Sequence, residues 1–353
     1  MREGLRLVVL EKVAATMAVT QRVVRERLAK RATCRYSSCS DDAGLIIPLA
    51  AISNRPMTSI RCAFLTKQHG LYAGQDDPLL ANALEQRGWS IEAVDWKDKE
   101  VEWEEFQCVL IRSPWDYYLT PDFFLDRIAE ISKRCGRLLH PESIIQANIH
   151  KRYLTQLGRF QDWVIPTEIL AAENLSGVDW NGLVRRFRAD RLILKPVVSA
   201  GSFRTLAIHH KELEQQLPAI EATFTKEDVI VQPFLPTICD DGEHSLVFLG
   251  GEYYHSILKR PKSGDFRVQV QHGGIYKRWE PDPWLVASSR VLLEQFQPHT
   301  LYARLDWVRN PDPDSPIPYL LMEIEMIEPD LYLRFTERGI EHYADLIVKR
   351  MDP

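Results

Sequence analysis

The alternation of apolar and polar residues is most informative at positions 319–333, which read YLLMEIEMIEPDLYL. A strand here places Glu323 and Glu325 on one face, about 6.5–7 Å apart at their Cα atoms. Buried carboxylates without a partner are costly, so we expect a metal ion or a cationic ligand above them. The alternative is a solvated polar face of an antiparallel sheet.

A second strand pattern, LYARLDWVR, occupies residues 301–309 and carries Asp306. The intervening segment, residues 310–318, is rich in Pro and Asp and is typical of a turn. We therefore predict that the two strands pair as a hairpin. In that hairpin Asp306, Glu323 and Glu325 would converge.

From residue 60 the pattern alternates between short apolar strands and amphipathic helices. The predicted strands and helices are 60–66, 78–88 (helix), 90–96, 106–112 and 121–133 (helix). Such alternation indicates a parallel, doubly wound sheet, in which ligands bind beyond the carboxyl ends of the strands.

The third of these strands ends in a run of polar and aromatic residues. We predict four substrate contacts there, which are Arg112, Ser113, Trp115 and Asp116. A guanidinium such as that of Arg112 is suited to a carboxylate. The alternative is that Trp115 and Tyr117 anchor the loop on the core.

A helical pattern at residues 148–157 carries Lys151, and a predicted strand at 191–196 carries Lys195. The strand is followed by VVSAGSFRT, whose small residues let backbone N–H groups approach a phosphate closely. The alternatives are an exposed lysine at a strand end and an ordinary hairpin turn, because residues 206–208 have the pattern of a return strand.

Further strands are predicted at 228–235, 243–248 and 252–259. A cluster of cations follows at residues 259–267 and includes Lys259 and Arg267. Such a cluster is commonly a solvated loop. Its position between the acidic strands and the small-residue loop also agrees with anion binding.

The composition restricts the class of protein. At 353 residues the chain is long enough for about two or three lobes. The net charge of −5 argues against a nucleic-acid binder, and no apolar run reaches the ~18 residues of a membrane span. The six scattered cysteines, without a CxxC pair, indicate reduced thiols and a cytoplasmic location.

The first 56 residues differ from the rest, because their first 40 positions are rich in Arg and Lys and poor in acids. Such a leader is compatible with an organellar transit peptide. The plainer interpretation is an upstream extension, with Met57 as the true start. In both cases we expect weak order.

The order of these features resembles that of the ATP-grasp ligases over residues 60–335, and is most similar to the glutathione-synthetase-like branch. The subgroup that contains the ring-closing ligase of D-cycloserine shows a similar E-x-E-x-x-E-P ending, here at Glu323, Glu325, Glu328 and Pro329. The resemblance implies an α/β protein that is α+β in its C-terminal half. Its expected parts are an extension (1–56), a parallel doubly wound domain (57–145), a lid subdomain (146–235) and an antiparallel-sheet subdomain (236–350).

The resemblance also implies a role for each matched residue. The nucleotide-binding residues would be Lys151 and Lys195 for the phosphates, Ser199, Gly201 and Ser202 closing over them, Gln232, Pro233, Phe234 and Leu235 for adenine, and Glu243 for ribose. Asp306, Glu323 and Glu325 would hold two Mg²⁺ ions, which Mn²⁺ could replace. Arg267 and Lys259 would serve catalysis. Glu325 departs from the asparagine of glutathione synthetases, which adds negative charge.

The implied activity is ATP- and Mg²⁺-dependent joining of a small amino-acid-like carboxylate to an amine through an acyl phosphate, releasing ADP and phosphate. A mobile lid on residues 160–230 would exclude water. The alternatives are a glutathione-synthetase-like peptide ligase, a nucleotide-binding regulatory module without turnover, and a metal-dependent hydrolase. The expected partners are small molecules, without nucleic acid or membrane. A homodimer is also expected, since dimers are common among similar ligases.

Overall fold

The computed structural model describes residues 59–225, 227–296 and 300–352. The predicted extension, residues 1–56, therefore lies outside the described residues. The described strands are β1 (Arg61–Thr66), β2 (Ser90–Asp95), β3 (Cys108–Ser113), β4 (Leu138–Leu139), β5 (Glu168–Leu170), β6 (Arg191–Pro196), β7 (Leu206–His209), β8 (Val229–Pro233), β9 (Glu243–Leu249), β10 (Glu252–Arg260), β11 (Ile275–Arg278), β12 (Tyr302–Arg309) and β13 (Tyr319–Glu325). The α-helices are α1 (Asp77–Glu85), α2 (Pro121–Arg134), α3 (Glu142–Asn148), α4 (Trp180–Phe187), α5 (Leu213–Thr223), α6 (Thr237–Asp240), α7 (Pro283–Leu293) and α8 (Gly339–Met351).

The N-terminal sheet is parallel, in the order β2-β1-β3-β4. Successive residues of β1 face opposite sides: Phe64 packs in the cluster of Leu80 on α1, and Leu65 packs in the cluster of Phe124 on α2. Helices thus cover both faces, which explains the continuous buried apolar runs of the central strands, residues 62–65 of β1 and 108–111 of β3. The predicted doubly wound parallel sheet is confirmed.

The central sheet is antiparallel, in the order β5-β8-β6-β7. β6 and β7 form a hairpin, so the predicted return strand is present, and the small-residue loop 197–205 connects the two. Helices α4 and α5 pack on this sheet through Leu183 and Ile220.

The helical pattern predicted from residue 148 is only partly realised. Helix α3 ends at Asn148, and a short 3₁₀ segment, Lys151–Thr155, follows it. The Lys151 backbone N–H donates to the Val197 carbonyl at 2.8 Å. This bond takes the chain out of the helical hydrogen-bond ladder and ties it to the loop that follows β6.

The C-terminal sheet is antiparallel, in the order β11-β10-β9-β12-β13. The predicted hairpin of β12 and β13 is present, with Asp306 opposite Glu323. Helix α7 covers the other face, where the Trp307 Nε1–H donates to the Ser289 Oγ at 2.9 Å. The apolar and acidic residues of these strands therefore lie on opposite faces, as their alternation predicts.

The chain segment after β13 joins the C-terminal sheet to the N-terminal one. The Asp76 carboxylate, just before α1, accepts hydrogen bonds from the backbone N–H groups of Leu333 at 2.7 Å and Arg334 at 3.2 Å. The Tyr302 hydroxyl donates to the Ile327 carbonyl at 2.8 Å. None of the helices in the described ranges is both long enough and apolar enough to cross a membrane.

A buried ion pair between strand β3 and helix α1 provides a test of stability. The Arg112 Nε lies 2.9 Å from the Asp77 Oδ1, and both side chains are buried. We expect Asp77→Ala to lower the free energy of unfolding by about 3–5 kcal/mol, because it leaves the Arg112 charge buried without its partner. Chemical denaturation measures this, with Asp126→Ala, an exposed carboxylate on α2, as the control. A loss as small as that of the control would contradict the prediction.

Candidate active site

A cleft of about 630 Å³ lies where the three sheets meet. All the residues predicted for the nucleotide, for metal and for catalysis line it. They are Lys151, Lys195, Ser199, Gly201, Ser202, Gln232, Pro233, Phe234, Leu235, Glu243, Lys259, Arg267, Asp306, Glu323 and Glu325. Residues from distant parts of the chain therefore meet in one cavity.

The acidic face of β12 and β13 is crowded with charge. The Arg304 Nη2 lies 2.9 Å from the Asp306 Oδ2 and also pairs with the Glu325 carboxylate. Burial raises the pKa of Glu325 to about 8, and the negative charges of Glu323 and Asp306 add to this rise. For Asp306, burial acts in the same direction, but Arg304 and Lys259 hold its pKa below the ordinary value.

These carboxylates fit a hard cation that binds together with a nucleotide. In the described part of the chain, no three His, Cys, Asp or Glu side chains are grouped closely enough to hold a metal ion by themselves. Mg²⁺ commonly takes one or two carboxylates and completes its octahedral shell with phosphate oxygens and water. Glu323 and Glu325 provide that kind of partial site, and they are close enough for the negative charge of Glu323 to raise the pKa of Glu325.

Three lysines face these carboxylates. The Lys151 Nζ lies 3.0 Å from the Glu323 Oε1 and donates to the Ser199 carbonyl. The Lys259 Nζ lies 2.6 Å from the Glu243 Oε1. Burial lowers the pKa of Lys195, an effect that the nearby charge of Glu323 opposes. Lys195 therefore faces the acidic cluster and is not an exposed residue at a strand end.

The loop between β6 and β7 has the backbone of a tight turn over the cleft. Gly201 has φ +59° and Ser202 has φ +63°, a left-handed conformation that favours glycine. The Gly201 carbonyl accepts from the Gln271 Nε2 at 3.4 Å, and the Phe203 ring packs 4.6 Å from that of Tyr118. The loop thus contacts both the C-terminal and the N-terminal parts of the cleft wall.

The predicted adenine side is apolar. Phe234 follows β8, lies edge-on to Phe266 with ring centroids 5.9 Å apart, and has the Arg191 guanidinium 4.9 Å from its centroid. Glu243 and Arg267 line the same cleft, but their charged groups pair with protein partners. The Glu243 partner is Lys259, and the Arg267 Nη2 lies 2.8 Å from the Asp265 Oδ2.

Three of the four predicted substrate contacts do not line the cleft. Arg112 and Ser113 both bond to the buried Asp77, the latter through its Oγ at 2.8 Å. The Asp116 carboxylate accepts from the Trp96 Nε1 at 2.8 Å and pairs with a lysine. Of the four, Trp115 lines the cleft. Most of the polar side chains at the end of β3 thus make structural contacts inside the N-terminal unit.

Other cleft residues were not among the predicted contacts. They include Tyr117, Tyr118, Glu328, Asp330, Tyr332 and Arg334. Glu328 does belong to the E-x-E-x-x-E-P motif, and this was the sequence signal that could have indicated it. Tyr332 has φ +51°, a left-handed backbone conformation that is uncommon for residues other than glycine and that the sequence therefore does not predict.

Family models match two segments of the chain. Residues 62–140 match the N-terminal domain of D-cycloserine synthetase DcsG, and residues 171–285 match the ATP-grasp domain of prokaryotic glutathione synthetase. Together with the fold and the cleft, these matches make the chain an ATP-dependent ligase of the ATP-grasp superfamily. The predicted fold class and resemblance are confirmed.

Particular relatives agree with this family. The cycloserine biosynthesis protein DcsG of Streptomyces lavendulae is 28% identical over 308 residues, which cover 82% of this chain and 99% of that protein. The crystal structure of D-cycloserine synthetase DcsG matches with a TM-score of 0.70 and 25% identity, over 83% of this chain and 100% of that one. D-Alanine–D-alanine ligase from Bacillus anthracis matches with a TM-score of 0.59 at 12% identity, over 83% and 97% of the two chains, and shares the fold.

The raised pKa of Glu325 predicts how stability depends on pH. Its pKa rises from 4.5 to about 8 on folding, so the folded protein binds more protons between these values. Stability contributed by this group is therefore lost as pH rises through that window. We expect the melting temperature without Mg²⁺ or nucleotide to fall between about pH 5 and pH 8, and the fall to be smaller in Glu325→Gln. The same pH dependence in both proteins would contradict the assignment to Glu325.

Proposed function

We propose that the protein couples ATP hydrolysis to the joining of a small amino-acid-like carboxylate to an amine, through an acyl phosphate and with release of ADP and phosphate. Residues 57–145, 146–235 and 236–350 would act as the substrate-side domain, the lid and the nucleotide and metal subdomain. The observation that carries the proposal is the meeting of Lys151, Lys195 and Lys259 with Asp306, Glu323 and Glu325 in one cleft.

The opposing charges suit a nucleotide triphosphate. In the proposed complex, Lys151 and Lys195 bind phosphate oxygens and the backbone of residues 199–202 covers them. Glu323, Glu325 and Asp306 would hold up to two Mg²⁺ ions. Mg²⁺ held there would neutralise negative charge on the triphosphate. Because phosphoryl transfer requires mainly positioning and charge neutralisation, these side chains suffice for the first step.

The proposed reaction has two steps. The substrate carboxylate attacks the γ-phosphorus, the bond to the ADP oxygen breaks, and an acyl phosphate forms. The amine then attacks the acyl carbon, the C–O bond to phosphate breaks, and the amine loses a proton. Arg267 and Lys259, both on the cleft wall, would stabilise negative charge on the transferring group and the tetrahedral intermediate.

Water has to be excluded because it would hydrolyse the acyl phosphate. We assign this role to the loop 197–205, whose contacts Phe203–Tyr118 and Gln271–Gly201 reach both other walls of the cleft. Closure by such a loop would commit the substrate to the reaction.

Location and assembly are part of the proposal. We propose a cytoplasmic location because Cys62, Cys108, Cys135 and Cys239, the cysteines in the described residues, are free thiols. We also retain the homodimer, whose test is the mass of the protein in solution. A peptide-forming glutathione-synthetase-like ligase is the second candidate, favoured by the match of residues 171–285. Supplying γ-glutamylcysteine and glycine separates it from the first.

The role of Glu323 is tested by substitution. Glu323→Gln keeps the shape but removes the charge that faces Lys151. We expect kcat to fall by about 10²-fold or more while ATP binding is partly retained. The reason is that a weakened metal site would neutralise less of the negative charge that develops during phosphoryl transfer. Glu337→Gln, an exposed carboxylate, serves as the matched control. Wild-type turnover in Glu323→Gln would remove it from the metal site.

The products test the acyl-phosphate route independently of any variant. Purified protein with ATP and Mg²⁺ is screened against amino acids and dipeptides for phosphate release. We expect ADP and inorganic phosphate in equal amounts, and only in the presence of an acid substrate. Formation of AMP would eliminate the acyl-phosphate route, and absence of turnover with every pool would favour the regulatory module.

A further inference from the structure

One carboxylate of the cleft differs from the others. Within the described part of the chain, six carboxylate side chains line the cleft, which are Glu243, Asp306, Glu323, Glu325, Glu328 and Asp330. Five of them form an ion pair with a lysine or arginine. For Glu328 the described residues provide no such pair.

Glu328 is nonetheless withdrawn from solvent, with 8% of its surface exposed. Its position is fixed by the backbone, since its carbonyl accepts from the Trp115 Nε1 at 3.2 Å. Burial raises the pKa of its side chain to about 7, and Lys151 and a hydrogen bond with Tyr117 act against the rise. A carboxylate buried without a cation is costly, so a positive group from a ligand would be favoured here.

The neighbouring cations are already committed to other acids. Lys151 pairs with Glu323, and Arg304 pairs with Asp306 and Glu325. Arg334 pairs with Asp330 through Nη1 at 2.8 Å and Nη2 at 2.8 Å. The other acids of the cleft are thus neutralised by lysine or arginine side chains of the protein. The carboxylate of Glu328 remains available to a positively charged ligand.

The surroundings of Glu328 also suit a cation. Trp115, Tyr117 and Tyr118 line the same cleft, in the segment that follows strand β3. Aromatic faces attract ammonium groups, and the carboxyl ends of parallel strands are where such sheets bind ligands. The electrostatic influence of Lys151 reaches both Glu323 and Glu328, which places this pocket beside the metal carboxylates.

We propose that Glu328 is a specificity-determining residue whose carboxylate binds the ammonium group of the acid substrate, with aromatic residues of the β3 loop around it. The substrate is then a zwitterionic amino acid, and acids that lack the charged amine are rejected. This inference rests on the proposed ligase function. It concerns the choice of the acid substrate. ATP binding, to which Lys151 and Glu323 are assigned, is unaffected.

The test uses hydroxylamine as the nucleophile, so that hydroxamate formation reports on the acid substrate alone. The acids are D- and L-amino acids, the 2-hydroxy acids with the same side chains, and the N-acetylated amino acids. We expect the wild type to prefer the best amino acid over its two analogues by about 10²-fold or more in kcat/KM, because the analogues leave the buried carboxylate unpaired. Equal use of the analogues would overturn the inference without any variant.

Glu328→Gln is the matched variant, and Glu337→Gln is the control. In Glu328→Gln we expect the KM for the amino acid to rise by about 10²-fold, with the KM for ATP unchanged and the preference over the 2-hydroxy acid largely lost. Glu328→Asp should recover part of the preference. A Glu328→Gln enzyme that still forms hydroxamate with wild-type selectivity refutes the inference and leaves the ligase function intact. Absence of hydroxamate from the wild type with every acid refutes both.

Discussion

The rest of the site depends on the crowding of buried charges along the β12–β13 hairpin. Antiparallel pairing sets Asp306 opposite Glu323 on the face that is turned away from α7. Charges that are withdrawn from water require partners at close range. The partners are Lys259 from β10 and Lys151 from the segment before the central sheet. The ion pairs that these lysines form with one acidic face therefore hold three separate parts of the chain together.

The segment after this hairpin continues along the wall of the cleft. It leaves β13 at Glu325, passes Glu328 and is gripped at Leu333 and Arg334 by the Asp76 carboxylate of the N-terminal unit. Tyr332, in its left-handed conformation, directly precedes these two residues, and its backbone N–H donates to the Asp330 Oδ1 at 2.9 Å. Such strain persists where the surroundings determine the backbone. Glu323, Glu325 and Glu328 thus belong to one continuous, well-anchored stretch of the cleft wall.

Local patterns predicted what local physics determines. The strand period gave the hairpin of Asp306 and Glu323, and the alternation of strands and helices gave the parallel sheet. Long-range partners were not predictable in this way. Arg112 is polar at the end of a strand, which is typical of a binding residue, yet Asp77, 35 positions earlier, neutralises it inside the fold. Asp116 likewise accepts a hydrogen bond from the Trp96 side chain, a contact that its local sequence does not predict.

The ion pairs that now fill the cleft also determine how ligands enter it. Lys151 is compensated by Glu323, so a phosphate that binds the lysine would leave the half-buried carboxylate of Glu323 without a partner. A cation that takes Glu323 would leave Lys151 in the same condition. When both bind, each supplies the charge that the other displaces, and the desolvation cost is shared. We therefore expect nucleotide and metal affinities to be coupled, and by linkage each ligand would raise the affinity for the other by the same factor.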